Sequence, residues 1–324
     1  MSRKIILFVL SCFFLASPLY AESMKMDLNA IYPSSNFHTQ GAEEFGELVE
    51  EYTDGDIQVT VHSGGSLGFE GEELLKAVKD ASVPMSDILM GVVSGSEEIF
   101  GLSTYPRIVH SYEDARELYE AALPYYQEAC ERWNQKLLYA APWPPSGLFT
   151  KEPVRSIEDM EGLKTRTYDK NGAQFLKKAG GSPQSMPWGE VYSALNTGLI
   201  DSVLTSATSG KDIKIWETLD HFTELNFAYP LNMVTINLDY WNSMNKEQQE
   251  AILKAAEETQ ESQWEASRQS HQDSMQALEE NGIKISEPDQ EFSENLDEIA
   301  AEIFQEYKSE ASEGTIKALE AIGM

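Results

Sequence analysis

The sequence predicts an α/β protein of two lobes, each a β-sheet flanked by helices, with one long helix that spans both lobes. Strand-like alternation and helix-like spacing follow one another in the first part of the chain and again after the string "PWPP" at 142–145. Helical composition without Gly or Pro then continues from Asn245 to Asn281. At 1.5 Å per residue such a helix is roughly 50 Å long, more than a single lobe requires.

The first 21 residues have the pattern of a secretory signal peptide: a basic start, an apolar run over residues 5–16 and a small final residue, Ala21. A lipoprotein anchor would place its cysteine at the end of the apolar run, whereas further apolar residues follow Cys12. Removal of the leader leaves Cys130 as the single cysteine, so no intramolecular disulfide is expected. A chain of this length is able to build its own hydrophobic core.

The chain is strongly acidic, with 24 Lys and Arg against 54 Asp and Glu and a net charge of −30. Loss of the two basic residues of the leader makes the charge −32. This charge argues against a nucleic acid or an anionic membrane as partner. The acids are spread along the chain, which fits a solvated surface, whether for plain solubility or for a salty habitat.

The first lobe begins with a strand, a helix and a second strand. Residues 26–32 alternate, the apolar positions of 45–52 follow helical spacing up to Gly55, and 57–61 alternate again. Such a unit predicts a parallel strand pair with a right-handed crossover. The glycine-rich string at 63–78 then opens a further helix. Glycines before a helix can cradle an anion, but the spacing of a dinucleotide or phosphate-loop motif is missing and a tight turn is the favoured interpretation.

The second lobe repeats the α/β alternation. A strand at 163–168 leads into a helix from residue 170 to Gly180, and a short strand follows at 183–186. Pro187 suits the first turn of the next helix, which ends at Gly198 before a strand at 200–205. At the start of the long helix, Asn245 is a suitable cap with Gln248 three residues later.

The sequence contains no arrangement of residues that predicts catalysis. The five histidines are scattered without a His-x-x-x-His pair, no Gly-x-Ser-x-Gly elbow occurs, and Cys130 lies in a helical run as a buried thiol. We therefore expect no metal site, no cofactor and no enzymatic activity. A secreted hydrolase is the minority alternative, which sustained turnover of a captured acid would establish.

Arg166 is the strongest candidate for ligand recognition, although a solvent-facing arginine is the ordinary alternative. It lies near the end of its predicted strand, and ligands of open α/β lobes bind beyond the carboxyl ends of the strands. A guanidinium in that position is able to hold a carboxylate with two parallel hydrogen bonds. Trp143, Tyr168 and Trp188 lie near the ends of neighbouring elements, where they form either apolar walls of a pocket or plain core.

Three segments give the sequence a family resemblance. The string "GLKTRTYDKNGAQFLKKAGGSPQSMPWGEVYSALNTGLIDSVLTS" (162–206) resembles the substrate-binding proteins of TRAP transporters, of the dicarboxylate-binding (DctP) type. Their signature runs Gly-Leu-Lys-x-Arg, then a glycine before a proline, then Met-Pro-x-x-Glu-Val-Tyr-x-Ala-Leu-x-Thr-Gly-x-x-Asp. The segments "EEFGELVEEYTDGDIQVTVHSGGSLGFEGEELLKAV" (43–78) and "LDYWNSMNKEQQEAI" (238–252) are similar to further motifs of this family.

The resemblance implies a periplasmic binding protein fold with two discontinuous lobes. Lobe 1 is expected at 22–143 and 231–270, and lobe 2 at 144–230 and 271–324, with the long helix across both. The implied function is capture of an organic acid between the lobes of a monomer in the periplasm. Delivery to the small and large membrane subunits of a TRAP permease, driven by an ion gradient, would follow.

The resemblance also assigns roles to single residues. In the family, the arginine matching Arg166 pairs with the ligand carboxylate, and the position of Trp188 often holds an aromatic residue that packs on the ligand. Thr205 stands where many members have a ligand-contacting asparagine, and Ser146 lies near the position of a second arginine. Compared with members that have this asparagine and this second arginine, the site has one cation and one amide fewer. A monocarboxylate with an apolar body or with hydroxyl groups therefore fits it better than a dicarboxylate or sialic acid.

Two other assignments share this fold. An extracytoplasmic binding protein of an ABC importer and the ligand-binding part of a sensor system have the same architecture. A neighbouring ATPase gene would favour the first and a histidine kinase gene the second.

Overall fold

The computed structural model describes residues 23–324, so the predicted signal peptide at 1–21 lies outside the described residues. Eleven strands and ten α-helices are present in this part of the chain. The strands are β1 Met24–Asn29, β2 Ile57–His62, β3 Met85–Leu89, β4 Gln135–Pro142, β5 Ser146–Thr150, β6 Lys164–Thr167, β7 Ser182–Ser185, β8 Ser202–Ser206, β9 His221–Thr223, β10 Leu231–Asn237 and β11 Lys284–Ser286. The helices are α1 Phe37–Tyr52, α2 Leu74–Lys79, α3 Tyr112–Arg132, α4 Lys170–Lys178, α5 Val191–Thr197, α6 Ala207–Asp212, α7 Leu238–Ser243, α8 Lys246–Glu280, α9 Gln290–Glu310 and α10 Glu313–Ala321.

The strands form two sheets, each of mixed direction. The first sheet has the order β2-β1-β3-β10-β4, in which β1 is parallel to β2 and β3, and β10 is antiparallel to β3 and β4. The second sheet has the order β11-β9-β5-β8-β6-β7, in which β8, β6 and β7 are parallel and β5 is antiparallel to β8. The predicted parallel pair at the start of the chain is thus β1 and β2.

Two extended segments carry the chain from one sheet to the other, and they pair with each other. The first connects β4 to β5 and the second connects β9 to β10. The backbone N–H of Trp143 donates to the carbonyl of Pro230, and Ser146 exchanges hydrogen bonds with Ala228 and Phe227. These contacts place the two crossings side by side beneath the space between the sheets.

Helix α8 connects both halves on one side of the molecule. Asn245 caps its first turn, where its side chain accepts from the Gln248 backbone and the Gln248 side chain accepts from the Asn245 backbone, which confirms the predicted capping box. The first half of the helix packs against α1 and β4, and the second half packs against α6 and β11. Its 35 residues correspond to roughly 52 Å.

The last two helices contact both halves. Helix α9 packs on α4 of the second half, where Lys178 pairs with Glu302 and Glu306. Helix α10 instead packs on α3 of the first half. Its Thr315 hydroxyl donates at 2.9 Å to the carboxylate of Glu98, in the 3₁₀ helix Glu98–Thr104 of the same half. We propose the expected lobe boundaries with one change at the carboxyl end. The range 271–324 was expected in the second lobe, but α10 lies against the first.

The remaining sequence expectations concern local features. Gly198 ends α5 in the left-handed conformation, with φ 70°, as a helix stop requires. Cys130 lies in α3 and is fully buried, as expected. Within residues 23–324, no helix combines the length and the apolar character that a membrane crossing requires.

Candidate ligand-binding site

A cavity of about 230 Å³ lies between the two sheets. On the first-sheet side its wall follows the carboxyl ends of β1, β3 and β4 and the start of β10, at Tyr32, Leu89, Trp143 and Pro230. On the second-sheet side the wall follows the carboxyl ends of β6, β7 and β8 and the start of β5. Because β10 and β5 run antiparallel to their neighbours, their first residues reach the same edge as the carboxyl ends of the other strands. The cavity therefore occupies the place where open α/β sheets bind ligands.

All six residues that the sequence singled out line this one cavity. They are Arg166, Trp188, Thr205, Ser146, Tyr168 and Trp143. The structure thus brings them together, while their contact with a ligand remains a prediction.

Arg166 is buried, with 4% of its surface exposed, so the solvent-facing alternative is wrong. Its Nε and Nη2 atoms both donate to the backbone carbonyl of Met186, at 3.2 and 3.1 Å. Its guanidinium carbon lies 5.3 Å from the ring centre of Trp188, within the range of a cation–π contact. These contacts fix the plane of the guanidinium and leave Nη1 without a hydrogen-bond partner among the described residues.

The charge of Arg166 has no counter-ion in the part of the chain that the structure describes. Within residues 23–324 it takes part in no ion pair, and the nearby Asp169 is not in salt-bridge contact with it. Burial lowers the pKa of Arg166 to about 10, so the group is still charged at neutral pH. An unpaired buried cation is costly, and an anion in the cavity would remove this cost.

Aromatic rings form the apolar walls, and a hydrogen-bond network holds one of them. The Trp143 indole N–H donates to the side-chain oxygen of Asn232 at 2.8 Å, and the Asn232 amide donates to Asp87 at 2.8 Å. Tyr32 packs edge-on against Trp143, with ring centres 4.9 Å apart. The ring of Trp143 is therefore fixed before any ligand arrives, which lowers the entropy cost of binding.

Neutral hydroxyl groups supply further polar atoms of the cavity. The Ser146 and Tyr168 hydroxyls lie 3.2 Å apart, and the Ser206 and Ser209 hydroxyls lie 3.1 Å apart. Thr205 lies beside Ser206 at the end of β8 and is 4% exposed. These groups are able to donate to or accept from a neutral polar part of a ligand.

Sequence reasoning missed several cavity residues. Tyr32, Ser206, Ser209 and Met186 line the same space but were not predicted. The rule that ligands lie at the carboxyl ends of strands would have found Tyr32 after β1 and Ser206 as the last residue of β8. Met186 contributes its backbone carbonyl, and no side-chain pattern reveals such a role.

Two buried carboxyl groups lie close to the cavity without lining it. Burial raises the pKa of Asp87 to about 7 and that of Asp169 to about 6. Asp169 caps α4 by accepting from the Gly172 backbone at 2.9 Å. One oxygen of each carboxyl group, Oδ2, has no partner within the described residues. Across residues 23–324, no cluster of three His, Cys, Asp or Glu has the arrangement of a metal site.

Comparisons with known proteins agree on one family. The sequence matches the family model for bacterial extracellular solute-binding protein family 7 (DctP) over residues 28–310. The C4-dicarboxylate-binding periplasmic protein of Rhodobacter capsulatus is 23% identical over 316 residues, which cover 95% of this chain and 93% of that protein.

Solved structures show the same fold. A pyroglutamate-specific TRAP solute-binding protein from an unidentified marine microbe is 30% identical, with a TM-score of 0.90 over 93% of this chain and 99% of that chain. A Bordetella pertussis extracytoplasmic solute receptor that binds pyroglutamic acid is 26% identical, with a TM-score of 0.90 over 92% and 99% of the two chains. The predicted two-lobe periplasmic binding protein fold is thereby confirmed. Since the family match spans most of the chain, the protein belongs to bacterial extracellular solute-binding protein family 7 and is a TRAP-type solute-binding protein, a substrate-binding receptor that works outside the cytoplasm.

Proposed function

We propose that this protein captures a small organic acid with a single carboxylate and holds it by Arg166 in the cavity between its lobes. The observation that carries the proposal is the buried, uncompensated charge of Arg166 at the edge of β6. Nη1, which has no partner among the described residues, and the second hydrogen of Nη2 are able to donate two parallel hydrogen bonds to a carboxylate. The apolar body of the acid packs against Trp188, Trp143 and Tyr168. Its neutral polar groups form hydrogen bonds with Ser146 and Thr205.

Pyroglutamate is the acid that we propose to test first. Two structures at 26% and 30% identity with this chain bind it. It carries one carboxylate for the single cavity cation, and its ring amide is a neutral group that hydroxyls are able to recognise. A cavity of about 230 Å³ also favours a small solute, since drug-sized ligands occupy roughly 300–1,000 Å³.

Binding is coupled to closure of the lobes in this proposal. A ligand favours the closed form because only there do groups from both sheets touch it. The paired crossings between the sheets are the expected hinge. The loaded monomer in the periplasm, freed of residues 1–21, would then deliver the acid to the small and large subunits of a TRAP permease.

The experiment compares wild type with Arg166→Ala and Arg166→Lys by calorimetry with L-pyroglutamate and a panel of organic acids. Loss of one partner of a desolvated charge pair costs about 2–5 kcal/mol, so Arg166→Ala is expected to bind roughly thirtyfold to several thousandfold more weakly. Arg166→Lys keeps the charge but loses the paired donors, and its affinity is expected to fall between the other two proteins.

Thermal unfolding without ligand provides the control for folding. Removal of the unpaired buried charge relieves a desolvation cost, which offsets the lost contacts with Met186 and Trp188, so Arg166→Ala is expected to melt near the wild-type temperature. Wild-type affinity in Arg166→Ala would contradict the anchor role of this residue.

A further inference from the structure

The cavity carries two carboxylates at its mouth in addition to the cation in its interior. Glu70 and Glu72, which we call the rim carboxylates, line the cavity on the first-sheet side and are exposed to solvent. Neither of them forms an ion pair with a Lys or Arg among residues 23–324. Their negative charge is therefore not cancelled by a neighbouring side chain.

Hydrogen bonds hold the backbone segment that carries the rim carboxylates. Glu70 is the N-cap of a short 3₁₀ helix at 71–73, in a capping box with Glu73, whose carboxylate accepts from the Glu70 backbone at 3.2 Å. The preceding turn is tied to the end of β1, because Gly64 and Gly65 donate to the carbonyls of Tyr32 and Ala30. The backbone that carries the rim carboxylates thus has a defined position relative to the end of β1.

The rim faces the opposite lobe across the entrance. A Cβ atom added to Gly189 would lie 3.6 Å from Oε2 of Glu70. Gly189 follows Trp188, which packs on Arg166 inside the cavity. The Glu70 carboxylate therefore lies against the second lobe at the side of the cavity that Trp188 closes.

The lining residues within 23–324 include one cation, Arg166, and these two acids. A ligand with one carboxylate neutralises Arg166 and leaves no charge of its own uncompensated. A second carboxylate would find no further cation in the cavity and would add repulsion from the rim. Burial of an unpaired charge is costly, and a like charge nearby increases the cost.

We propose that Glu70 and Glu72 make the receptor selective for monoanions by disfavouring a second negative charge on the ligand. This inference rests on the function proposed above and adds the charge class of the substrate. The rim carboxylates are specificity-determining residues in this scheme, since they weaken the wrong ligand rather than bind the right one.

The test is the double substitution Glu70→Gln/Glu72→Gln, which keeps the size of both side chains and the capping oxygen of Glu70. Calorimetry measures L-pyroglutamate, a monoanion, and glutarate, a dianion with the same number of carbon atoms. Wild type is expected to prefer pyroglutamate. In the double variant the preference falls by about threefold to tenfold, because exposed charges contribute a modest Coulomb energy each and glutarate gains most from their removal.

A matched control removes the same net charge elsewhere in the first lobe. Glu47 and Glu51 are exposed on α1 and do not line the cavity. Glu47→Gln/Glu51→Gln is expected to leave the preference unchanged. The difference in ligand preference between the rim variant and wild type should also shrink in 0.5 M NaCl. At this salt concentration the Debye length lies between roughly 3 and 10 Å, so the rim charges act over a shorter distance.

The outcomes separate this inference from the function on which it rests. An unchanged preference in the rim variant, or the same change in the α1 control, would overturn the inference. Tighter binding of glutarate than pyroglutamate by wild type would also overturn it but would leave acid binding intact. Wild type that binds no carboxylate of the panel would overturn both.

Discussion

At the scale of single residues, burial decides which charged groups matter. Arg166 and Asp87 are both almost fully buried, yet they differ in what surrounds them. Arg166 borders the cavity, where a ligand is able to compensate its charge. The carboxyl group of Asp87 lies behind the wall and, among the described residues, accepts only from the Asn232 side chain. We therefore expect Arg166 to determine binding and Asp87 to affect stability.

The stability of the protein without ligand should depend on pH through Asp87. Burial raises the pKa of Asp87 to about 7 in the folded protein, against about 3.9 in an unfolded chain. Between about pH 4 and pH 7, the folded state thus retains a proton on Asp87 that the unfolded state has released. The carboxyl group costs no stability below that window, and the cost grows with rising pH until it is complete above pH 7.

Asp87→Asn is expected to remove this cost. Three pKa units correspond to about 4 kcal/mol, of which about 1–3 kcal/mol is offset because the new amide N–H₂ has no acceptor at the Oδ2 position. Urea unfolding should therefore show a gain of about 1–3 kcal/mol for the variant at pH 8 and none at pH 4.5. Asp56→Asn, at an exposed position, controls for the loss of surface charge. An equal difference between Asp87→Asn and wild type at both pH values would contradict the prediction.

At the scale of elements, the start of α4 forms another connection between the two halves. The Asn171 side chain donates to the Gly101 carbonyl and to the Thr104 hydroxyl, both at 2.9 Å. Asp169, which caps the helix, lies against the short 3₁₀ helix Met90–Val93 of the first half. The approach is close because Gly91 has no side chain at this point.

Gly91→Ala is expected to weaken ligand binding by holding the halves apart. The added Cβ would lie 2.6 Å from Oδ2 of Asp169 and 2.7 Å from Cγ2 of Thr104, so one side must move. Overpacking of this kind costs about 1–3 kcal/mol. If the cost falls on the closed form, calorimetry with L-pyroglutamate will show a loss of roughly fivefold to 150-fold in affinity.

Gly95→Ala is the matched control for this substitution. Gly95 follows the same 3₁₀ helix, and a Cβ there has nothing within 4 Å. Its affinity should equal that of wild type. Equal affinities of Gly91→Ala and Gly95→Ala would show that this contact does not limit closure.

At the scale of the whole molecule, the acidic surface sets the response to salt. The full chain has a net charge of −30 and an isoelectric point near 4.4. Self-repulsion of such a charge destabilises the compact state, and salt screens it. The overall charge also repels an anionic ligand at long range, so capture depends on the local positive charge of Arg166.

The melting temperature at pH 7.5 should therefore rise by several degrees between 20 mM and 1 M NaCl. Near pH 4.4 the net charge vanishes, and the same increase in salt should change the melting temperature much less. Scanning calorimetry under both conditions checks this. A salt effect of equal size at both pH values would point to general salt effects on hydrophobic burial instead.

The sequence by itself determined the local elements of this protein and the chemistry available to it. The capping box of Asn245 with Gln248 is a local feature, because its two residues are three positions apart. The stop at Gly198 is local too, so a sequence pattern is sufficient to predict each of them. The same holds for Arg166 at the end of a short strand. The net charge follows from composition alone.

Only the tertiary structure decided how these residues meet. Trp143 and Asn232 are 89 positions apart, and Asn36, which caps α1, donates a hydrogen bond to Asp212 of α6 across 176 positions. The cavity, the unpaired state of Arg166 and the position of α10 on α3 depend on contacts of this range. Their formation is governed by which apolar faces bury one another and which polar groups then find partners. Local spacing along the chain does not contain that information, because it records neighbours in sequence and the cavity is made of neighbours in space.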